Sequence, residues 1–390
     1  MNIIVIGSGM YVSGRGTKDH GTILPAIFEF KRKTNKFLKL TIIGKNAKNL
    51  FSVKNKVKEI SKLSGVKIDC NYFPKNNLND DKAYLKAINA IAKPACAIVA
   101  VPDNLHFQVT KACLNKGLHT MVVKPLTSKV KEAKILHKLA QKNNLYGVVE
   151  FHKRWDKQNM LLKDTFRKGE LGNPLYTWTE YSQQKIIPTK IFKNWVEKTN
   201  ILQYLGIHYI DIVRFITGAI PKSVMAIGQK NFLRKLNIKN YDSIQSIINW
   251  KMQNGNQFTQ TLITNWIDPL TTSAMSNQKI KFVGTKGNFD SDQKNRGISI
   301  NIDEKNLQQP NPDFCKQYGY KNGEITWQGY GIDSINTFLK DVFDIVNQKQ
   351  KISHINKIRP TFKEGIISTA VIESANKSLK DKSKWKLIKF

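Results

Sequence analysis

Asn2-Ile3-Ile4-Val5-Ile6-Gly7-Ser8-Gly9 decides the fold. Four apolar residues in a row, Ile3 to Ile6, read as a short strand buried on both faces. The run stops at once in a glycine turn. The first glycine permits a tight turn after the strand, and the second lets the backbone approach a pyrophosphate. A third glycine in the G-x-G-x-x-G spacing would stand at position 12, where the chain has Val12. The loop instead runs on through Ser13, Gly14, Arg15, Gly16 and Thr17, so the fingerprint is imperfect and carries an insertion. The backbone amides of Gly7, Ser8, Gly9 and Met10, with Arg15, are candidates to cradle phosphates. A glycine-rich turn without a ligand is the alternative.

Outward from this turn, residues 1–150 alternate strand and helix patterns. A helix is predicted over 22–32, with Thr22 placed to cap it and Pro25 tolerated in its first turn. Residues 38–43 read as a second strand, and 95–101 (ACAIVAV) as a strand covered on both faces. A helix follows with Val109, Ala112 and Cys113 on one face. Then come a strand over 120–123, a helix marked by Ala133, Leu136, Leu139 and Ala140, and a strand over 146–151. This α/β alternation predicts a parallel, doubly wound sheet in an N-terminal domain, 1–150. After about residue 152 the character changes. Helices over 157–168 and 202–217 flank a strand over 175–181 and a loop carrying Pro188 and Trp195. Strands are then predicted over 223–228, 244–252, 258–266, 280–284 and 288–292, and helices over 334–347 and 362–377. Runs of strands on short polar turns predict a mostly antiparallel sheet in a second domain, 151–390.

Composition sets outer bounds. The chain has 390 residues, 41% hydrophobic and 24% charged, which reads as globular and long enough for two or three domains. No apolar run approaches the roughly 18 residues that span a bilayer. The first apolar run is too short, and its start not basic enough, for a signal peptide. Cys70, Cys96, Cys113 and Cys315 form no C-x-x-C pair and read as scattered free thiols. A cytoplasmic protein is expected. With 63 basic and 29 acidic residues, the net charge is +34, which points to an anionic partner. The lysines are spread along the whole chain, however, beside many Asn, Ile, Phe and Tyr. All have AT-rich codons, so base-composition bias accounts for much of the charge. No nucleic-acid motif is visible, so an anionic small substrate is favoured, and neither nucleic acid nor membrane is expected as partner.

Four further segments carry chemistry. After the second strand comes Ile43-Gly44-Lys45-Asn46, with Lys48 close by. NAD enzymes place an acid here for the ribose hydroxyls. With no acid in the segment and Lys45 able to pair with a 2′-phosphate, NADP is favoured over NAD. Pro102-Asp103-Asn104-Leu105-His106 lies at the carboxyl end of the apolar strand, where such sheets bind ligands. Pro102 and His106 are therefore candidate cofactor contacts, although His106 is also placed to cap the next helix. Val123-Lys124-Pro125-Leu126 ends the next strand. An ammonium there is placed to orient a substrate hydroxyl in the cleft between domains. Finally, Tyr204, His208 and Asp211 sit at i, i+4 and i+7, one face of a helix. Histidine titrates near neutrality, which suits a general base for alcohol oxidation. No metal is expected.

Together these residues resemble the Gfo/Idh/MocA oxidoreductases, a family named for glucose–fructose oxidoreductase, inositol dehydrogenase and a rhizopine-catabolism enzyme. The resemblance covers nearly the whole length. Its most specific parts are AIVAVPDNLH (97–106), Lys124-Pro125-Leu126, and Leu205-Gly206-Ile207-His208 with Asp211. His152-Lys153-Arg154-Trp155, Gly169-Glu170-Leu171-Gly172 and Val283-Gly284-Thr285-Lys286-Gly287 support it. It implies a Rossmann domain binding NAD or NADP. It implies a C-terminal α/β domain whose large, open, mostly antiparallel sheet packs on another subunit, hence a homodimer or homotetramer. It implies that Lys124, the lysine of E-K-P, lies near the nicotinamide and the reacting hydroxyl. His208, the histidine of D-x-x-x-H, is then the acid–base residue. Three positions depart from the pattern. The glutamate before the lysine is Val123, the aspartate four before the histidine is Tyr204, and the asparagine of the N-x-R-F-like segment is His152.

The expected activity is hydride transfer between NAD(P) and a secondary alcohol of a sugar, polyol or sugar derivative. Lys124, His208 and Tyr204 are the expected catalytic residues, and Arg154, Trp195, Tyr204 and His208 the substrate contacts. Tyr204 either replaces the aspartate as a proton relay or stacks on a sugar ring. Two alternatives stay open: an NAD-dependent glycosidase of the same fold, and a catalytically inactive, cofactor-binding regulatory protein.

Overall fold

The computed structural model describes residues 1–77 and 79–390. The chain begins with β1 (Asn2–Ile6), a one-turn α1 (Met10–Ser13), α2 (Ile23–Thr34), β2 (Lys39–Ile43), α3 (Ala47–Ser64) and β3 (Asp69–Phe73). It continues with α4 (Ala83–Ala90), β4 (Ala95–Val99), α5 (His106–Asn115), β5 (His119–Val123), α6 (Val130–Lys142) and β6 (Gly147–Glu150). These strands form one parallel sheet in the order β3-β2-β1-β4-β5-β6. Strand order reverses at β1, which puts a ligand crevice outside the carboxyl ends of β1 and β4. β4 is buried at every position, as its unbroken apolar run requires.

Next come α7 (Lys157–Arg167), β7 (Pro174–Gln184), α8 (Ile207–Thr217), β8 (Ile220–Gln229), α9 (Phe232–Lys235), β9 (Ser243–Lys251), β10 (Gln257–Asp268), β11 (Ser276–Gly284) and β12 (Asn288–Asp292). The hairpin β13 (Lys316–Gly319) and β14 (Ile325–Gln328) precedes α10 (Tyr330–Val346), α11 (Ile352–Ile355), α12 (Phe362–Lys380) and β15 (Lys386–Leu387). The second sheet runs β12-β11-β7-β10-β9-β8-β15. Its pairs are antiparallel except β7 with β10. In β9 and β10 alternate residues are buried, Ile244, Ile248 and Trp250 on one strand and Phe258, Leu262 and Trp266 on the other. That is the signature of a sheet with one covered face.

The chain divides into two compact units. The first comprises residues 1–127, 131–155 and 313–365, and the second 128–130, 156–312 and 366–390. Residues 313–365 join the first unit because α10 is strongly amphipathic. Its Ile335, Phe338, Leu339 and Val342 share one apolar cluster with Ile23, Ile27 and Phe30 of α2. The buried Glu29 of α2 also accepts hydrogen bonds from Thr326 Oγ1 (3.1 Å) and from the Trp327 amide (3.0 Å) of β14. Thr22 precedes α2 but does not cap it. Its side chain makes no capping bond, while its amide donates to Tyr11 O at 2.8 Å. Among the described residues no helix is long and apolar enough to cross a membrane, and the four cysteines are free.

Candidate active site

The glycine turn after β1 is built by steric necessity. Gly7 has a φ of +133°, and a Cβ there would stand 2.1 Å from Ala100 O. Its amide donates to Ile43 O (2.9 Å), and the Ala100 amide donates to Ile6 O (2.8 Å), so the turn is held between β2 and β4. Gly9 differs. Its φ is an ordinary −80°, and a Cβ there would meet nothing within 4 Å. The backbone is thus open where a phosphate must approach, so the turn fits a dinucleotide. Val12, standing where the third glycine is expected, is buried in the short α1. Arg15 is half-buried and donates from Nη1 to Ser8 Oγ at 3.2 Å, which lays its guanidinium on the turn.

Beyond β2, Lys45 is exposed, and Asn46 Oδ1 caps α3 by accepting the Asn49 amide. The expectation of no acid here is corrected. The segment after β3 brings Asp80 and Asp81 back to this point. Asp81 Oδ1 lies 3.8 Å from Lys45 Nζ, and the Asp80 amide donates to Lys45 O at 3.0 Å. A cavity of about 380 Å³ opens beside them, lined by Phe73, Pro74, Lys75, Asn76, Asp80 and Lys86.

Lys124 follows β5 and is joined to Pro125 by a cis peptide. It is buried, and burial lowers its ammonium to about 8, a fall opposed by the charges of Asp103 and Glu150. His106 has its Nδ1 2.6 Å from Pro125 O and its Nε2 2.8 Å from Val101 O. Both ring nitrogens face backbone carbonyls, so this buried imidazole clamps the loop after β4 to the Lys124–Pro125 turn.

Glu150, at the end of β6, is the residue that sequence reasoning missed. Its buried carboxylate accepts from Ser334 Oγ at 2.8 Å and stands 3.0 Å from His152 Nδ1. The His152 ring packs 5.6 Å from Tyr330 and 5.2 Å from Phe314. The Tyr11 hydroxyl lies 3.4 Å from His152 Nδ1, and burial, then the charge of Glu150, pushes that phenol well above its usual range. Arg154, also buried, has Nη2 3.7 Å from Glu364 Oε2.

In the second unit, His208 is buried on α8 with its ring 6.2 Å from that of Tyr181. Asp211 is buried on the same helix. Tyr204 precedes them in a π-turn over residues 202–206, in which the Ile207 amide bonds to Leu202 O, while His208 and Asp211 lie in the regular helix. The Tyr204 ring lies 4.7 Å from Phe192 and 6.4 Å from Trp266, and Phe192 lies 4.2 Å from Trp195. Trp195 and Tyr204 therefore belong to one aromatic cluster. α8 itself is pinned by polar contacts. Tyr209 Oη donates to Gln293 Oε1 (2.8 Å), Gln293 Nε2 donates to Asn159 Oδ1 (2.8 Å), and Gln260 Nε2 donates to Tyr209 O (3.1 Å).

Comparison with known proteins bears on this arrangement. Residues 1–151 match the N-terminal domain of the Gfo/Idh/MocA oxidoreductase family, an NAD-binding Rossmann fold, and residues 163–387 match its C-terminal alpha/beta domain. The scyllo-inositol 2-dehydrogenase (NADP(+)) IolW of Bacillus subtilis is 29% identical over 133 residues, 33% of this chain and 36% of its own. The glucose-6-phosphate 3-dehydrogenase of the same organism is 28% identical over 146 residues, 35% of this chain and 41% of its own. The chain spans about a third to a half of the length of the curated relatives it matches. Among solved structures, myo-inositol 2-dehydrogenase from Lactobacillus plantarum aligns with a TM-score of 0.69 at 16% identity, over 100% of this chain and 99% of that one. Scyllo-inositol dehydrogenase from Lactobacillus casei, with bound NAD(H) and scyllo-inositol, aligns at 0.67 and 16%, over 99% and 98%. At that identity the likeness speaks to the fold alone. Both domain matches together run nearly end to end, and the chain belongs to the Gfo/Idh/MocA oxidoreductase family.

Proposed function

We propose that this oxidoreductase is a dehydrogenase acting on a secondary alcohol of a sugar, polyol or sugar derivative with NAD(P). The observation that carries the reading is the open glycine turn at the carboxyl end of β1, in a sheet that also ends β5 in a buried lysine. When bound, the nicotinamide takes or returns the hydride. Gly7, whose amide is bonded to Ile43 O, shapes the turn, and the amides of Ser8, Gly9 and Met10 with the guanidinium of Arg15 hold the pyrophosphate. Pro102 borders the same crevice after β4. Lys45 holds a 2′-phosphate in exchange for its loose pairing with Asp81, so NADP is the preferred form.

Lys124, with its titration drawn down to about 8, orients the substrate hydroxyl and stabilises the oxygen as its proton leaves. His208 accepts that proton. Trp195 and Tyr204 offer aromatic faces to a sugar ring, and the cluster around Tyr204 favours stacking over a proton relay. Arg154 completes the substrate contacts. Relatives named for inositol and for glucose 6-phosphate support a polyhydroxylated substrate. We further propose a homodimer or homotetramer through the outer face of the second sheet, where Tyr176 and Ile227 are exposed.

Fluorescence titration tests the cofactor. Saturable NADPH binding is expected about tenfold tighter than NADH, a difference of about 1.4 kcal/mol that Lys45→Ala removes. NADH preference would transfer the role from Lys45 to Asp80 or Asp81, and binding of neither form would remove the dehydrogenase reading. For the chemistry, His208→Ala is expected to lower turnover of polyols or hexose phosphates by about 10²–10⁴-fold, with NADPH binding unchanged. Full turnover by that variant would take His208 out of the mechanism.

A further inference from the structure

The residue before Lys124 is Val123, which leaves the lysine without an acid on its own strand. The sheet changes that picture. β5 and β6 run parallel, and Val123 is the register partner of Glu150. Adjacent strands lie about 4.8 Å apart, so a partner in register stands as near as a sequence neighbour does. We propose that Glu150 is the positioning residue for Lys124, supplying from the neighbouring strand the carboxylate that Val123 cannot.

Three observations support it. Glu150 is almost fully buried, and a buried carboxylate needs positive charge or several hydrogen bonds to stay there. It is held on two sides, by Ser334 Oγ of α10 and by Nδ1 of His152, and His152 is itself wedged between Tyr330 and Phe314. A carboxylate so fixed presents its charge in one place. Lys124, buried too, feels that charge and that of Asp103, from the turn after β4. The other ionisable groups around this centre are Tyr11 of α1, the Cys315 thiol whose charge acts on Tyr11, Tyr330 of α10, the buried Lys153 with its Nζ 5.8 Å from the Tyr330 ring, and His106 of α5, which faces Pro125 O. The consequence for catalysis rests on the dehydrogenase reading: Glu150 holds Lys124 in its charged form near neutral pH and fixes its direction.

Trace acetylation of the full-length protein with acetic anhydride tests this, reading the Lys124 peptide by mass spectrometry across pH. The wild-type midpoint is expected at about 8. Glu150→Gln keeps one acceptor oxygen, at the Oε1 position that both Ser334 Oγ and His152 Nδ1 reach, but removes the charge, so its midpoint is expected to fall by about one pH unit or more. A purely structural Glu150 would leave it unmoved. Glu150→Asp is expected to recover part of the shift. The exchange Val123→Glu with Glu150→Val, which returns the acid to the lysine's own strand, is expected to restore the wild-type midpoint. A folded Glu150→Gln protein with a wild-type midpoint overturns the proposal. Should that variant not fold, the exchange variant decides, and a lowered midpoint in it is equally fatal. No cofactor or substrate enters the labelling, so loss of this proposal and loss of NAD(P)H binding are separate results.

Discussion

Alanine at position 7 is expected to abolish dinucleotide binding and to cost the first unit about 3–5 kcal/mol. Two effects add. A φ of +133° is strained for any residue with a Cβ, and that Cβ would lie 2.1 Å from Ala100 O. The obstacle is backbone, and it cannot retreat cheaply. The Ala100 amide is bonded to Ile6 O, and Val99 is the register partner of Ile6. Relief therefore means opening the β1–β4 ladder. Thermal unfolding of the first unit should shift down by roughly 10 °C. Gly9→Ala is the informative contrast. It meets no protein atom, so stability should hold, while the new methyl fills the space a phosphate needs and NADPH binding weakens at least about tenfold. A Gly7→Ala protein with normal melting and normal binding would show that the turn is not what holds the cofactor.

Breaking the pair Asp156–Arg296 is expected to cost the second unit about 3–5 kcal/mol. Both side chains are essentially inaccessible, at 0% and 2% exposure, and meet through two bonds of 3.1 and 2.6 Å. Asp156→Ala leaves a guanidinium buried without its carboxylate. It also removes the cap of α7, since Asp156 Oδ1 accepts the Gln158 amide. The damage spreads along one polar chain. Arg296 Nε donates to Gln293 O, and Gln293 accepts from Tyr209, the neighbour of His208. The double variant Asp156→Leu with Arg296→Met removes both charges together and should recover most of the loss. Chemical denaturation of the wild type, Asp156→Leu, Arg296→Met and the double variant closes the cycle. Single variants costing under about 1 kcal/mol would place the pair in solvent.

What could be read from the residues followed burial. The runs at Ile3–Ile6 and in ACAIV announced the two central strands, because a strand covered on both faces has no polar positions to confuse with a helix. β3 was illegible: Asp69-Cys70-Asn71-Tyr72-Phe73 is a half-exposed edge strand whose neighbours, not its composition, make it extended. In α3 lysines and asparagines dilute the apolar pattern, yet Leu50, Val53, Val57 and Ile60 mark a buried face at helical spacing. The site divides in the same way. Gly7, Gly9, Lys124 and His208 stand in local motifs. Glu150 and Asp81 become neighbours of Lys124 and Lys45 only through strand register and loop return, which no short window contains.

The split of the first unit into segments, with residues 313–365 completing it, has a consequence for how the protein is made. A nascent chain reaching residue 155 has all six strands of the first sheet in hand but not α10, whose apolar face packs with α2. Ile23, Ile27 and Phe30 stay without that partner while the ribosome adds the bulk of the second unit. At bacterial and eukaryotic elongation rates that interval is on the order of ten seconds or more. The sheet, complete in its strands but with α2 uncovered, is then a target for holding chaperones until α10 has left the exit tunnel.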